Sequence, residues 1–194
     1  GFGMQMCLVL VTGHALASAP QVRRAVQGLA SLPRSTATAA ASVALLACVA
    51  GLLNWGLGLI LGAFMARDVG RSLHERGIPV HYPLIVASGY AGLLVWHGGL
   101  SGSAPLSMTT EDGFRKVLPA EVAGELQTLP LSSTIFSSLN MLVSGGLILM
   151  VPMVVFWLAP RRPEDHCGPP ADILAGERPS DHLGESPPGL ESSR

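Results

Sequence analysis

Residues 35–66 read STATAAASVALLACVAGLLNWGLGLILGAFMA and contain no Lys, Arg, Asp or Glu. At about 1.5 Å per residue, a straight helix of roughly 30 residues runs about 45 Å. The hydrocarbon core of a bilayer is only about 30 Å thick. Near the middle of the run sits Asn54-Trp55-Gly56-Leu57-Gly58. Asn tolerates left-handed backbone and Gly permits any φ, so this is where a helix can turn. The reading is therefore a re-entrant hairpin with its tip at Asn54-Trp55-Gly56 and left-handed backbone there. A single tilted crossing is the alternative.

The rest of the chain has the same texture. Residues 1–22, 77–110 and 126–160 also lack those four residue types. Each run matches or exceeds the ~20 apolar residues that span a bilayer. Charged residues make up 13% of the 194, and mean hydropathy is +0.44. Soluble domains carry about 25% charged residues. A soluble helical domain would need polar outer faces, which these runs do not offer. The fold class is all-α polytopic membrane protein. A net charge of −1 excludes a basic nucleic-acid binder. Cys7, Cys48 and Cys167 lie far apart, so neither a zinc site nor a disulfide framework is supported. The chain opens at Gly1 inside an apolar run without a basic n-region, which excludes a signal peptide and predicts a truncated chain.

Charge placement favours the hairpin. Segments 21–34 and 67–76 each carry three Arg, whereas loop 111–125 has two basic and four acidic residues. A hairpin puts both Arg segments on one side, together with Arg161-Arg162, and the positive-inside rule makes that side cytoplasmic. A single crossing gives no orientation.

The membrane domain is read as 1–159. Helices fall at about 1–20, 35–66 (broken or hairpin), 82–110 (broken) and 134–158, and 160–194 is a Pro-rich polar tail unable to fold alone. Residues 82–97 form a helix that is interrupted at 97–105, where the chain reads His97-Gly98-Gly99-Leu100-Ser101-Gly102-Ser103-Ala104-Pro105. Irregular backbone survives at membrane depth only where protein wraps it or a polar cavity adjoins it. Paired breaks of this kind mark substrate sites in transporters.

The candidate substrate-binding residues are Asn54, Gly56, Gly58, Gly98, Gly99, Ser101, Gly102 and Ser103. Flexible backbone N–H groups, two hydroxyls and the positive end of a resumed helix suit a carboxylate. The plainer readings are a Gly58/Gly62 packing patch and a surface loop. His14 and His97 are the intramembrane ionisable residues, and so the candidates for coupling. Gly99-Leu100-Ser101-Gly102 also fits the G-x-S-G pattern of intramembrane serine proteases. The only later histidines, His166 and His182, lie in the tail, so Ser101 lacks a base on a later membrane helix. No catalytic residue, metal site or ATP-binding loop is assigned. A purely structural membrane subunit is a third reading.

Four runs together resemble the bacterial short-chain fatty acid transporter family: Phe2-Gly3-Met4-Gln5-Met6, Val11-Thr12-Gly13-His14-Ala15-Leu16-Ala17, Asn54-Trp55-Gly56-Leu57-Gly58 and Gly98-Gly99-Leu100-Ser101-Gly102-Ser103. Tyr82-Pro83-Leu84 and the tail ending Glu191-Ser192-Ser193-Arg194 fit the same pattern. The resemblance implies uptake of acetoacetate, butyrate and similar monocarboxylates across the inner membrane, with a coupling cation as an option and no cofactor. It further implies one half of an inverted-repeat transporter about twice this length, lacking a first helix and a C-terminal half. The implied partners are the short-chain carboxylate, the lipid bilayer, that missing half and, as an open option, a homo-oligomer. Position 97 departs from the pattern in carrying His.

Overall fold

The computed structural model describes residues 2–17, 19–117 and 128–175. Among them the regular elements are all helical. They are α1 (Phe2–Ala17), α2 (Pro20–Ala30), α3 (Thr36–Leu53), α4 (Trp55–Glu75), α5 (Tyr82–Gly89), α6 (Gly92–Val95), a 3-10 turn (Trp96–Gly98), α7 (Ser103–Ser107), α8 (Glu111–Val117), a 3-10 turn (Leu131–Ser133), α9 (Ser138–Leu158), a 3-10 turn (Pro163–Asp165) and α10 (Ala171–Ala175). Three stretches are long and apolar enough to cross a membrane: Thr36–Leu53, the bent Tyr82–Ser107 and Ser138–Leu158. This is the architecture of an all-α polytopic membrane protein.

The 35–66 run breaks at Asn54. A capping box starts α3: Thr38 N–H donates to Ser35 Oγ, and Ser35 N–H donates to Thr38 Oγ1. Asn54 then turns extended, with φ −154° and ψ 129°, and ends α3 while capping α4. The expected left-handed tip is absent. Among the described residues only Gly77 has positive φ, at 68°. One extended residue is enough to redirect the chain, because the arms can then close on small residues. A Cβ on Gly58 would stand 2.8 Å from the Gly51 backbone and 3.1 Å from Ala47 O. Residues before and after Asn54 thus pair in reverse order, and the two arms are antiparallel.

The second arm is longer than the charge pattern suggests. α4 continues past Ala66 through Arg67, Asp68 and Arg71 to Glu75. Arg71 Nε reaches Glu75 Oε1 at 3.2 Å, an i,i+4 pair that lets charges ride on a helix end. The next residue, Arg76, donates to Ser31 O at 3.3 Å and to Pro33 O at 2.6 Å. Segments 21–34 and 67–76 therefore sit at the same end of the molecule, as a hairpin requires and a single crossing forbids.

Close backbone approach holds the bundle together. Gly62 meets Gly89, Gly51 meets Gly92, and Gly92 meets Ala47, each so tightly that an added Cβ would fall within 2.6 Å of a carbonyl oxygen. Lipid offers no hydrophobic drive between helices, so dispersion across such small-residue seams carries the packing. The core runs along the same seams, through Ala39, Val43, Ala47, Met65, Val69, Leu73 and Ile85. α9 lies beside α3, setting Leu147, Ile148, Val151 and Val155 against Ala44, Cys48, Ala91 and Val95. Ser144 is its one buried residue.

The 82–110 stretch is irregular earlier than expected. α5 stops at Gly89, and Tyr90 and Ala91 close tight turns onto Ala87 O and Ser88 O before α6 begins. The start of the tail folds back onto the Arg-rich end, where Tyr82 N–H donates to Cys167 O at 2.7 Å and Arg71 Nη2 to Leu174 O at 2.9 Å. Residues 118–127 of the polar loop and 176–194 of the Pro-rich tail, Glu191–Arg194 included, lie outside the described residues.

Candidate functional site

A helix leaves its first N–H groups without intrahelical partners. At α4 the first of them, Trp55 N–H, donates to Ser101 Oγ at 3.1 Å. The third, Leu57 N–H, donates to Asn54 Oδ1 at 3.1 Å. The partner of the first turn of the hairpin's second arm is thus the second break. The backbones join as well, because Leu100 N–H donates to Leu52 O at 2.7 Å. The two interruptions, far apart in sequence, form one junction.

The glycines there serve approach rather than φ. Gly99 is extended (φ −96°, ψ −178°) and Gly102 has φ −64°. A Cβ on Gly99 would stand 2.3 Å from Leu52 O, and one on Gly102 2.3 Å from His97 O. The nearly full-length dipole at the junction belongs to α4, which has 21 residues. The resumed helix α7 has five, so the second break does not supply the strong helix terminus that the sequence suggested.

Two donors at the junction remain to be used. Asn54 Oδ1 faces an N–H, which fixes the amide orientation, so Nδ2 carries the remaining hydrogens. Among the described hydrogen bonds Nδ2 makes none. Ser101 Oγ is engaged as an acceptor, leaving its own proton to donate. Both side chains are half-buried.

The other candidates are placed differently. Gly58 is committed to the Gly51 seam, and Gly56 is buried beneath α1, where a Cβ on Gly13 would lie 3.3 Å from Gly56 C. Ser103 is exposed at the start of α7. His97 is exposed, its ring centroid 3.9 Å from that of Trp96. His14 is exposed on α1, edge-on to Phe64 with centroids 5.9 Å apart. The described hydrogen bonds tie Ser101 to Trp55 and to no histidine. Among the described residues no group of three His, Cys, Asp or Glu is placed to hold a metal.

Two residues at the site went unnoticed in the sequence. Asn140 Nδ2 donates to Gly98 O at 2.9 Å and to Ile135 O at 2.6 Å, and Ser144 Oγ donates to Asn140 Oδ1 at 3.3 Å. The signal was available: two polar side chains four apart lie on one face of an otherwise apolar helix, where polar groups bond across helices.

Both breaks and α9 fall within a longer match. Residues 1–179 match the protein family described as "Short chain fatty acid transporter". The chain belongs to the short chain fatty acid transporter family. A relative in Haemophilus influenzae is 34% identical over 164 residues, covering 84% of this chain and 36% of its own length. One in Escherichia coli is 38% identical over 175 residues, covering 90% and 35%. Both are named "Putative short-chain fatty acid transporter". The matched stretch of the chain thus spans little more than a third of the length of these relatives. No solved structure matches it.

Proposed function

We propose that this chain forms part of a secondary transporter moving short-chain fatty acids, small monocarboxylates such as acetoacetate or butyrate, across the bacterial inner membrane. The observation that carries the proposal is the meeting of the two breaks, which brings Asn54 and Ser101 each onto the first turn of a 21-residue helix. Two neutral donors and a positive helix terminus complement a carboxylate without a buried countercharge. Gly99 keeps the backbone slender enough for the breaks to touch, Gly98 lets the second break sit against Asn140, and Gly102 lets it fold back on His97 O. Gly56, Gly58 and Ser103 take supporting positions around them.

In this reading the site is half of a larger one, completed by a further part of the full-length transporter. Short chains are selected by apolar side chains beside the donors. Such a cycle needs no organic cofactor and no catalytic residue, and a coupled cation supplies the drive for symport. If that cation is a proton, His97, beside the second break, is placed to carry it, and His14 is the more distant candidate. The Arg-rich end faces the cytoplasm.

Butyrate uptake by the full-length transporter tests the assignment. Ser101→Ala removes one donor and the partner of Trp55 N–H, so KM should rise about tenfold at normal membrane abundance. Uptake indistinguishable from wild type would remove Ser101 from the site.

A further inference from the structure

The second break is held from three sides within four residues. Leu100 N–H is held by α3 through Leu52 O, and Ser101 Oγ is held by the α4 terminus through Trp55 N–H. Gly98 O is held by α9 through Asn140 Nδ2. The first two contacts tie the break to the hairpin. The third ties it to a different helix, and that contact rests on one side chain.

Asn140 has little latitude. Both hydrogens of Nδ2 are used, on Gly98 O and on Ile135 O. A flipped amide would set Oδ1 against two carbonyl oxygens, so the orientation is fixed. Oδ1 accepts from Ser144, the only buried residue of α9, which locks the rotamer. The amide also lies directly under Gly98, where a Cβ would stand 2.4 Å from Asn140 Oδ1 and 2.5 Å from Ser144 Oγ. This combination of a saturated amide, a second polar residue bracing it and a glycine required above it sets the height of the break over α9. Ile135 O adds the turn that leads into α9, so the amide stitches together the break, α9 and its lead-in.

We propose that Asn140, braced by Ser144, is the positioning residue that seats the second break against the hairpin tip, so that the Ser101 hydroxyl meets the start of α4. Asn140 acts through the backbone of the break and does not itself touch substrate. The transport part of this proposal rests on the carboxylate site described above, whereas the seating part does not.

The experiment uses the full-length transporter in membranes, with cysteines placed at positions 52 and 100 in a background whose native cysteines are replaced. Their backbones are hydrogen-bonded, so a short bifunctional thiol reagent should join the pair efficiently. Asn140→Ala should lower the cross-linking yield severalfold and raise the KM for butyrate about tenfold, the scale of two lost hydrogen bonds, with a smaller change in maximal rate. Ser144→Ala should move both readouts the same way, but less. Asn140→Asp keeps the shape and removes both donated bonds, so it serves the same test if the alanine variant is depleted from membranes. Cross-linking that is unaffected by Asn140→Ala or Asn140→Asp would overturn the positioning role. Lost cross-linking with an unchanged KM would leave Asn140 as the seat of the break and refute instead the carboxylate site at Ser101.

Discussion

Replacing Gly99 with alanine puts the junction of the two breaks to a direct test. The added Cβ would stand 2.3 Å from Leu52 O, 2.7 Å from Leu52 Cα and 2.8 Å from Leu52 C, all of it backbone. Backbone cannot rotate away as a flexible side chain can, and interiors packed to crystal density have little slack. About 0.7 Å must open before the first contact reaches the shortest approach real Cβ atoms make. That shift alone stretches the Leu100 N–H to Leu52 O bond from 2.7 Å to about 3.4 Å, the edge of usefulness. The neighbouring Trp55 N–H to Ser101 Oγ bond starts at 3.1 Å and has even less margin. Overpacking of this kind costs about 1–3 kcal/mol. Two weakened hydrogen bonds add about 1 kcal/mol each. Gly145→Ala and Gly146→Ala are the controls, since an added Cβ meets nothing within 4 Å at either. Thermal unfolding of the detergent-purified full-length protein, read alongside butyrate uptake, gives the comparison. Gly99→Ala should lower the unfolding midpoint and depress uptake, while the controls keep both. If Gly99→Ala behaves like the controls, the breaks do not touch, and the case for a shared site falls with that contact.

Other consequences follow from the same geometry. Gly62→Ala drives a Cβ to 2.3 Å from Gly89 O and should destabilise the protein by about 1–3 kcal/mol through separation of α4 from α5, measurable by chemical unfolding. Ser35→Ala removes the capping box of α3 and should cost about 1 kcal/mol in the same assay, with uptake kept at low temperature. Single cysteines at Leu32 and Glu75, both exposed, should label with an impermeant maleimide from the same side of the membrane, and labelling from opposite sides would refute the hairpin. Arg76→Ala loses the guanidinium bonds to Ser31 O and Pro33 O and should speed proteolytic cleavage at residues 31–34 severalfold.

The break at Asn54 was legible because two independent physical limits met there. The charge-free run was too long for one crossing, and Asn and Gly offered the relief. Its geometry was not legible: whether a turn uses left-handed or extended backbone depends on how closely the arms can approach, and the Gly51–Gly58 contact that decides this is tertiary. Reading charges as loop misplaced the end of α4, since Arg71 and Glu75 pair along the helix and Arg76 caps a distant loop. The early irregularity at Tyr90 was hidden for a similar reason. Gly89 and Gly92 on either side of it are each held against another helix, and no local preference of Tyr90 or Ala91 announces that. Asn140 was overlooked because one amide inside an apolar helix barely disturbs the hydrophobic pattern, and its partners at Gly98 and Ile135 are set by tertiary packing.

Each unwound stretch in a membrane protein exposes backbone groups that lipid cannot satisfy, at several kcal/mol apiece. Here the stretches relieve each other: Leu52 O, orphaned at the end of α3, takes Leu100 N–H, and Trp55 N–H, orphaned at the start of α4, takes Ser101 Oγ. Mutual relief alone would make the junction a structural knot. On the proposed function, the donors it leaves over are what suit it to a ligand. Asn54 Nδ2 and the Ser101 proton have no acceptor among the described hydrogen bonds, whereas the fully buried polar side-chain atoms of the described residues all have partners. A carboxylate arriving there would then complete the bonding without breaking any bond already made. In the proposed transporter, binding there would tighten the contact between break and hairpin, the coupling needed by a carrier that moves only when loaded. Butyrate should therefore raise the cross-linking yield between positions 52 and 100 in wild type and fail to do so in Ser101→Ala. A yield indifferent to butyrate in both would show that substrate binds elsewhere.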